Sequence, residues 1–402
     1  MEPLDIRSRT VRLVCLLVTG CATGEAPTGP VEEPPPVLVD AQVVFTTTGA
    51  TPDADGYRIS VDGVDRGAAR PNDTTVFELP LGTRELEVSG VQANCDVEGG
   101  VDRVIEVFAG ATFEFGVDCP LALVGGFTFS RRFGGFADRP FFREFGNGVE
   151  TELFPGEGGY FSIQVSPDGR RILGQAGGLT GGAIVAAVDG SYRRDVAPSN
   201  GTTGAWAPTW IDRDRVAFAL QESFGLDYWV ARADGSEAFL LLDEEFESFG
   251  QSDWWTDASR FVVEVTTFSP QGRFEQDALR VYTSDGSPQH ELYATTSNLF
   301  DPIYVDALDR VFFTVHDRSR GYFTYSIRPD GADLVELPSP DPSHYIGLSD
   351  VTDDGLWILY DSLRPGGGRQ LIRARIDFSD PVVVLETTEH LFLNARFTPP
   401  SG

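Results

Sequence analysis

The chain has 402 residues, long enough for two or more domains with substantial cores, and its 44 glycines and 26 prolines suit a turn-rich all-β protein. Its formal net charge is −30, and all 31 basic residues are arginines. A surface so anionic repels phosphate, which disfavours nucleic-acid binding and charge-driven adhesion to anionic lipid, and it keeps the protein soluble in a crowded compartment.

The N-terminus reads as an export signal. Arg7, Arg9 and Arg12 precede the apolar run Leu13–Val18, which is followed by Thr19, Gly20 and Cys21. A basic flank, an apolar run and small residues follow in the order of a signal peptide, although the run is shorter than usual. Val18-Thr-Gly-Cys21 resembles the lipobox of bacterial lipoprotein precursors. The resemblance implies removal of residues 1–20, a diacylglycerol on the Cys21 thiol and, because Ala22 is not acidic, sorting to the outer membrane on the periplasmic side of a Gram-negative envelope. Elsewhere nothing approaches the ~18 apolar residues of a membrane-spanning helix. Residues 21–36 are Pro-rich and apolar-poor, so they form an extended linker.

Residues 37–120 hold short alternating runs, among them Val37–Thr46, Tyr57–Val61, Arg84–Val88 and Thr112–Val117, separated by turn residues. That pattern predicts a small β-sandwich. Gly56-Tyr-Arg-Ile-Ser-Val-Asp-Gly63 resembles Ig-like or PEGA-type surface modules. Cys95 and Cys119 are the remaining cysteines of the mature chain, and an even pair in an exported domain reads as a disulfide. A free or metal-bound thiol pair is the alternative, although no histidine lies nearby.

Residues 122–402 repeat one pattern six times. The tight turns Asn147-Gly148, Asp189-Gly190, Asp234-Gly235, Asp285-Gly286 and Asp330-Gly331 have glycines 42, 45, 51 and 45 residues apart, and a degraded sixth copy falls at Phe378-Ser379-Asp380. These residue types tolerate positive φ and make hairpin turns. A second series, Asp168, Asp212, Asp257, Asp306 and Asp353, runs in phase and opens polar turns that lead into apolar strands. Two such turns in every roughly 45 residues imply four strands per unit, the arithmetic of a β-propeller blade. The first unit lacks its innermost strand, and Phe392–Pro399 matches the innermost strand of the others. The chain is therefore expected to close its ring with its own C-terminal strand, leaving no open sheet edge. Val165-Ser-Pro-Asp-Gly169 and Ala233-Asp-Gly-Ser236 resemble the units of TolB-like, WD40-like (PD40) six-bladed propellers. That resemblance covers about 280 residues. It implies the fold; carried further to role, it implies another envelope protein as partner.

The catalytic inventory is thin. His290, His316, His344 and His390 stand in separate units, and no zinc-protease, redox-dithiol or nucleophile-elbow motif occurs. Asp53-Ala-Asp-Gly56 imitates the start of a calcium loop but lacks the later ligands, so a plain turn is the main reading. Asp243–Glu247 is a charge run that reads as a solvated loop, with cation binding the sharper alternative. No cofactor or metal is expected, with calcium left open. The six tryptophans all lie in the repeats, where blade packing competes with ligand binding.

Strand alternation puts the regular Asp turns on one side of the ring. The variable loops, including Ser130–Asp138, Ala197–Ala205, Ser339–Tyr345 and Asp361–Arg369, fall on the other. Function concentrates on variable loops, so the expected working face lies there, around the channel. Its candidate residues are Arg131, Arg132, Trp206, Asp253, Trp254, Asp301, His344 and Tyr345. The function expected is a non-enzymatic binding scaffold of the cell envelope. The rival is a carbohydrate- or peptide-acting hydrolase or lyase with acidic residues paired in the channel. Cys21→Ser is expected to release the protein from the membrane fraction; a native mature chain whose mass shows no acyl chains on Cys21 rules the anchor out.

Overall fold

The computed structural model describes residues 36–400 except 54, 133–137, 155–158, 177–180, 198–203, 222–224, 340–343, 365 and 388–391. The export signal, Cys21, nearly all of the linker and His390 lie outside the described residues. Those described form eight four-stranded sheets, and their one helical element is a 3-10 turn at Asp306–Leu308.

Local turn chemistry makes each repeat a sheet. In the outer turns the Asp Oδ1 accepts the backbone N–H two residues on: Asp189 from Ser191 (2.9 Å), Asp234 from Ser236 (2.9 Å), Asp285 from Ser287 (3.0 Å) and Asp377 from Ser379 (3.0 Å). Such Asx turns reverse the chain without tertiary help. The bonded hydroxyls and N–H groups hold all four carboxyls below the usual carboxylate range. The sixth turn is thus shifted by one residue from the sequence reading and begins at Asp377. Phe378 takes the position glycine holds elsewhere, at φ 62°, and its buried ring meets Tyr360 edge-on at 5.3 Å. Core burial offsets a backbone conformation that ordinarily selects glycine.

The six blades, written from the innermost strand outwards, follow chain order. Blade 2 is Tyr160–Val165, Arg171–Ala176, Ala183–Ala187 and Arg193–Asp195; blade 3 is Ala205–Trp210, Arg215–Gln221, Leu226–Arg232 and Phe239–Leu242. Blade 4 is Glu247–Trp254, Arg260–Phe268, Phe274–Thr283 and Pro288–Thr295; blade 5 is Asn298–Val305, Arg310–Asp317, Gly321–Ile327 and Val335–Glu336. Blade 6 is Tyr345–Val351, Trp357–Leu363, Arg369–Arg375 and Val382–Thr387. Blade 1 joins the two ends of the array: Phe392–Phe397 is its innermost strand, followed by Gly126–Arg132, Asp138–Glu144 and Glu150–Glu152. The second strand of a blade is buried on both faces, as in Val216–Leu220, Phe261–Val263 and Val311–Val315, because each sheet packs between two neighbours.

The latch is antiparallel, Phe397 opposite Phe127 and Leu393 opposite Ser130. The Gly126 N–H donates to Thr398 Oγ1 (3.0 Å) and the Gly125 N–H to the Pro399 carbonyl (2.7 Å).

Residues 38–118 form the sandwich. Leu38–Thr48 pairs antiparallel with Thr74–Pro80 and parallel with Thr112–Asp118, whose other neighbour is Asp96–Val97. The facing sheet runs Val64–Ala69, Tyr57–Val61, Gly82–Ser89, Asp102–Val107. Alternate residues of both sheets, including Val43, Phe45, Ile59, Leu86 and Phe115, share one core. Cys95 and Cys119 are disulfide-bonded across a separation of 24 residues. In the chain-entropy account, closing such a loop adds about 3 kcal/mol. The fit beside the bridge is close: a Cβ on Gly49 would sit 2.0 Å from the Cys119 carbonyl oxygen. The bridge fixes the segment that meets the propeller. There Arg170, on the first regular turn of blade 2, donates from Nε to the Asn94 carbonyl (3.1 Å) and from its terminal nitrogen to Asp96 (2.8 Å). The Asp53 carboxylate accepts the N–H groups of Gln92 (3.0 Å) and Gly56 (3.3 Å), which gives the calcium-loop lookalike a turn-building role.

Removing residues 392–402 takes the innermost strand from blade 1 and exposes the edge at Gly126–Arg132. The truncated protein is expected to melt at lower temperature and to self-associate in sedimentation. An unchanged melting temperature in a monomer would contradict ring closure by this strand.

Candidate functional site

In all six blades the pairing of the innermost strand with the second shifts register part-way along, between Tyr160 and Ile163, Trp206 and Thr209, Phe249 and Ser252, Phe300 and Ile303, Leu348 and Asp350, and Leu393 and Arg396. These are β-bulges, which re-aim side chains and bend the strand. Ala207, Asp301 and Asn394 sit in them at φ 46°, 50° and 50°. The bulges ring the central channel, and polar side chains gather beside them.

Three of these side chains stitch one blade to the next. Asp253 accepts the Tyr304 N–H of blade 5 (2.7 Å), Gln251 Oε1 accepts the Asp301 N–H (2.6 Å), and Asp350 accepts the Phe397 N–H of the closing strand (2.7 Å). Arg396 stands among them, 3.3 Å from Asp350 and 3.7 Å from Asp301. Behind this layer Glu264, on the second strand of blade 4, faces Gly250, where a Cβ would lie 2.8 Å from its Oε2. The glycine makes room for the carboxyl.

Burial raises these acids. Asp253 is pushed up to about 7 against the opposing pull of the Tyr304 N–H and Arg396. Asp350 rises to about 6 for the same reason, with Arg396 and the Phe397 N–H pulling it down. Glu264 reaches about 8 through burial and repulsion from Asp277 and Asp301, and Asp361 reaches about 7 through burial. Asp301 is also raised by burial. For Arg396 burial favours the neutral form, but Asp350, Asp301 and Asp253 more than offset it, so the guanidinium stays charged.

Arg396 lines two cavities. The larger, ≈ 850 Å³, opens on the regular-turn side between the ends of the innermost strands. Its wall includes Asp253, Tyr304, Asp350, Asp353, Trp357 and Arg373, and it is also lined by Ala93 of the sandwich and by Pro399 and Pro400. Arg373 lies over the Phe145 ring at 4.6 Å and the Trp357 ring at 4.2 Å. The smaller, ≈ 230 Å³, lies toward the variable-loop side and is lined by Asp301, Tyr322, Asp361 and Asn394 among others. Among the described residues, no group of three or more His, Cys, Asp or Glu side chains has an arrangement suited to a metal ion.

Of the residues expected on the working face, Asp253 and Asp301 are brought together with Arg396. Trp254 and Tyr345 are corrections, because both lie inside blade interfaces. Trp254 stacks on Phe261 at 4.4 Å and donates from Nε1 to the Tyr228 hydroxyl (3.1 Å). The Tyr345 ring packs against Tyr360 and Phe378 and bonds the Thr324 hydroxyl. Adjacent strand residues point to opposite faces, so Trp255 serves the other interface, stacked on Tyr304 at 4.1 Å. Arg131 lies over Phe141 and pairs with Glu150 at 3.0 Å, away from both cavities. Trp206 is half-buried at the start of blade 3, and His344 accepts the Leu363 N–H at its carbonyl (2.6 Å). Arg132 ends the second strand of blade 1, and its side chain lies outside the described set. Glu247 of the acidic run is bound by Arg280 at 2.7 Å. The larger cavity thus opens opposite the face expected from loop variability, several of whose loops fall outside the described residues. Sequence reading did not single out Arg396, Asp350, Glu264 or Asp361; the one signal was a lone Arg in the apolar strand Phe392-Leu-Asn-Ala-Arg-Phe397.

The class of the fold follows from the closed ring of six four-stranded blades: a six-bladed β-propeller. Solved structures similar to this chain include TolB from Acinetobacter baumannii, at TM-score 0.55 and 12% identity over 70% of this chain and 68% of that one. Kuenenia stuttgartiensis hydrazine synthase matches at TM-score 0.53 and 11% identity over 67% of this chain and 46% of the other. A putative TolB from Agrobacterium tumefaciens matches at TM-score 0.48 and 11% identity over 68% and 99%. The chain shares the TolB-like propeller fold. No family model matches it, and no curated protein matches it in sequence.

The raised carboxyls set the pH dependence of stability. A carboxyl whose folded pKa lies above its unfolded value makes the native state bind more protons between the two values, so stability falls as pH rises through that interval. For Asp350, Asp253, Asp361 and Glu264 that interval runs from their ordinary values up to about 6, 7, 7 and 8. The melting temperature is expected to be higher at pH 5.5 than at pH 8. Arg396→Met, which leaves the acids unpaired, should cost about 3 kcal/mol at pH 8 and clearly less at pH 5.5, where they can be neutral. Chemical denaturation at the two pH values checks both signs.

Proposed function

We propose that this protein is an exported, lipid-anchored binding scaffold of the cell envelope that receives a segment of another envelope protein in the larger channel mouth. The observation that carries this reading is the mouth itself. At ≈ 850 Å³ it is walled in part by Tyr304, Trp357 and Phe397, and it carries the carboxyls of Glu144, Asp253, Asp350, Asp353 and Asp354 beside Arg373 and Arg396. Five acids against two bases, with aromatic rings at the rim, favour a basic segment with an apolar anchor. TolB likeness in fold, the disulfide and the lipobox-like start support an exported address, and the Cys21 anchor remains part of the proposal. The sandwich, read as an Ig-like or PEGA-like module, would hold the mouth at a fixed attitude through Arg170.

A second reading, a hydrolase or lyase, is favoured by the raised Asp253 and Asp350, since carboxyls poised near neutrality suit acid–base work. Against it, each of these carboxyls already accepts a hydrogen bond from the backbone N–H of the next blade. The two readings separate in one experiment. A photo-crosslinking residue at Tyr304 or Trp357 is expected to give a discrete protein adduct in envelope preparations, absent from the same residue placed at Phe239 on an outer strand. No mouth-specific adduct, together with turnover of a glycan or peptide substrate that Asp253→Asn abolishes, would favour the enzyme.

A further inference from the structure

The third strand of blade 6 ends in two arginines that are left without an acid. Leu371, Arg373 and Arg375 alternate onto one face of Arg369–Arg375. Leu371 is buried in the core that blade 6 shares with blade 1, and Arg373, further along, stands in the wall of the larger mouth with Phe145 and Trp357. Its guanidinium lies over the Phe145 ring at 4.6 Å and the Trp357 ring at 4.2 Å. Arg375, directly across the strand pair from Trp357, lies over the same indole at 4.1 Å. Among the described residues no carboxylate comes within ion-pair distance of either guanidinium, and neither side chain donates a hydrogen bond.

Acids are not scarce, since the chain has 61 of them against 31 arginines. Those of the same wall are engaged elsewhere. Asp350 holds Arg396 and the Phe397 N–H, Asp354 accepts from Thr352 Oγ1 (2.6 Å) and the Leu356 N–H (2.9 Å), and Glu144 accepts from the Asn147 side-chain amide (2.6 Å). Burial, and then the neighbouring Arg375 charge, hold the Arg373 guanidinium below the usual arginine value, the sign expected of a cation that lacks a counter-ion. A ring face takes up part of the charge but accepts none of the N–H bonds, which lie in the guanidinium plane. The Arg373 Nε is closed off from solvent without a partner, whereas its terminal nitrogens, also without one, remain accessible. Two aromatic rings thus hold a fork whose open edge is that pair of nitrogens. Such an edge takes a carboxylate through two parallel bonds, and a side chain already fixed loses little freedom on binding.

We propose that Arg373 and Arg375 form an anion site at the rim of the larger mouth that binds one carboxylate, its oxygens accepting from the Arg373 terminal nitrogens while Arg375 supplies a second positive charge. A single negative charge suits the place better than a phosphate, because the five acids of the mouth repel a doubly charged group more strongly. The carboxylate belongs either to a free small acid or to a partner's segment. In the second case the inference rests on the mouth's proposed role as receptor for a chain segment and deepens it: an acidic residue or a C-terminus of that segment is fixed at blade 6, and its basic part is left to face the acids.

The test titrates the full-length protein with sodium propionate and follows the indole N–H resonance of Trp357 by NMR, assigned by its loss in Trp357→Phe. Propionamide serves as the neutral isostere, and sodium chloride and sodium phosphate at matched ionic strength serve as salt controls. A saturable shift with propionate, absent with propionamide and weaker with both salts, is the expected result. Arg373→Gln should weaken binding at least about tenfold, the size of one charge-assisted hydrogen bond. Arg375→Gln, at the strand end, is the second variant and should weaken it as well. Arg232→Gln, which removes the same charge from the end of a strand in blade 3, should not. A capped Ala-Ala-Glu-Ala-Ala peptide distinguishes the sources. Binding of the peptide at least as tight as that of propionate assigns the site to a partner's chain, and binding of propionate alone assigns it to a solute. No saturable response to either, an equal response to propionamide, chloride or phosphate, or affinity in the two folded arginine variants no weaker than in Arg232→Gln overturns the proposal. The titration needs no partner, so its failure leaves a mouth-specific adduct at Tyr304 standing, and absence of that adduct leaves the carboxylate site standing.

Discussion

The ring depends on how it handles negative charge at its axis. Six sheets packed side by side are held largely by apolar contact, with a few polar bonds between blades at the outer strands, such as His290 to the Pro329 carbonyl and Arg194 to the Asp234 carbonyl. At the centre, however, Asp253 and Asp350 reach across blade boundaries and take the backbone N–H of the next innermost strand, and Gln251 does the same for Asp301. These bonds satisfy donors on the free edge of the innermost strands, at Asp301 within a bulge and at Tyr304 and Phe397 in the paired stretch beyond one. They also cost desolvation of carboxyls, which burial makes reluctant to ionise. Arg396 offsets part of that cost, and it is carried by the strand that closes the ring. Closure and charge compensation are therefore one event: the guanidinium arrives in the channel only when Phe392–Phe397 pairs with Gly126–Arg132.

Much of the fold was legible because its determinants are local. Asn-Gly and Asp-Gly pairs favour a tight turn through residues that tolerate positive φ, so the spacing of those turns indicated the blade number and phase. The missing innermost strand of the first unit and the surplus strand at the chain end pointed to each other for the same reason. The sixth turn was misplaced by one residue because Phe378 occupies a glycine position, a substitution that makes sense only once Tyr345 and Tyr360 are seen to need a third ring.

The site was less legible because it is built by depth rather than by sequence neighbourhood. Trp254 beside Asp253 looked like one binding patch, yet alternation sends the two side chains to different places, the indole into a blade interface and the carboxyl into the channel. Glu264 and Asp361 lie on second strands, where an acid among apolar residues could equally face solvent at a strand end. Only the bulges, which a sequence pattern does not display, bring those positions to the axis. Loop variability pointed to one side of the ring, whereas the larger cavity opens on the other. Short, regular turns leave the strand ends there uncovered, and residues from the sandwich and the C-terminal Pro399-Pro400 complete the rim.

The distribution of charge around the channel also breaks the sixfold pattern of the backbone. Blades 4, 5 and 6 each place an aspartate on the innermost strand, at Asp253, Asp301 and Asp350, whereas the described innermost strands of blades 2 and 3 carry no acidic residue. Arg396, on blade 1, borders the acidic half. A cation in the channel therefore meets a field with a direction, strongest toward the consecutive acidic blades and weak toward the neutral pair. Fields from fixed charges in a low-dielectric cleft act over several ångströms and orient what enters. The repeated backbone thus supplies the ring, and a few unrepeated side chains give its channel a polarity across its width.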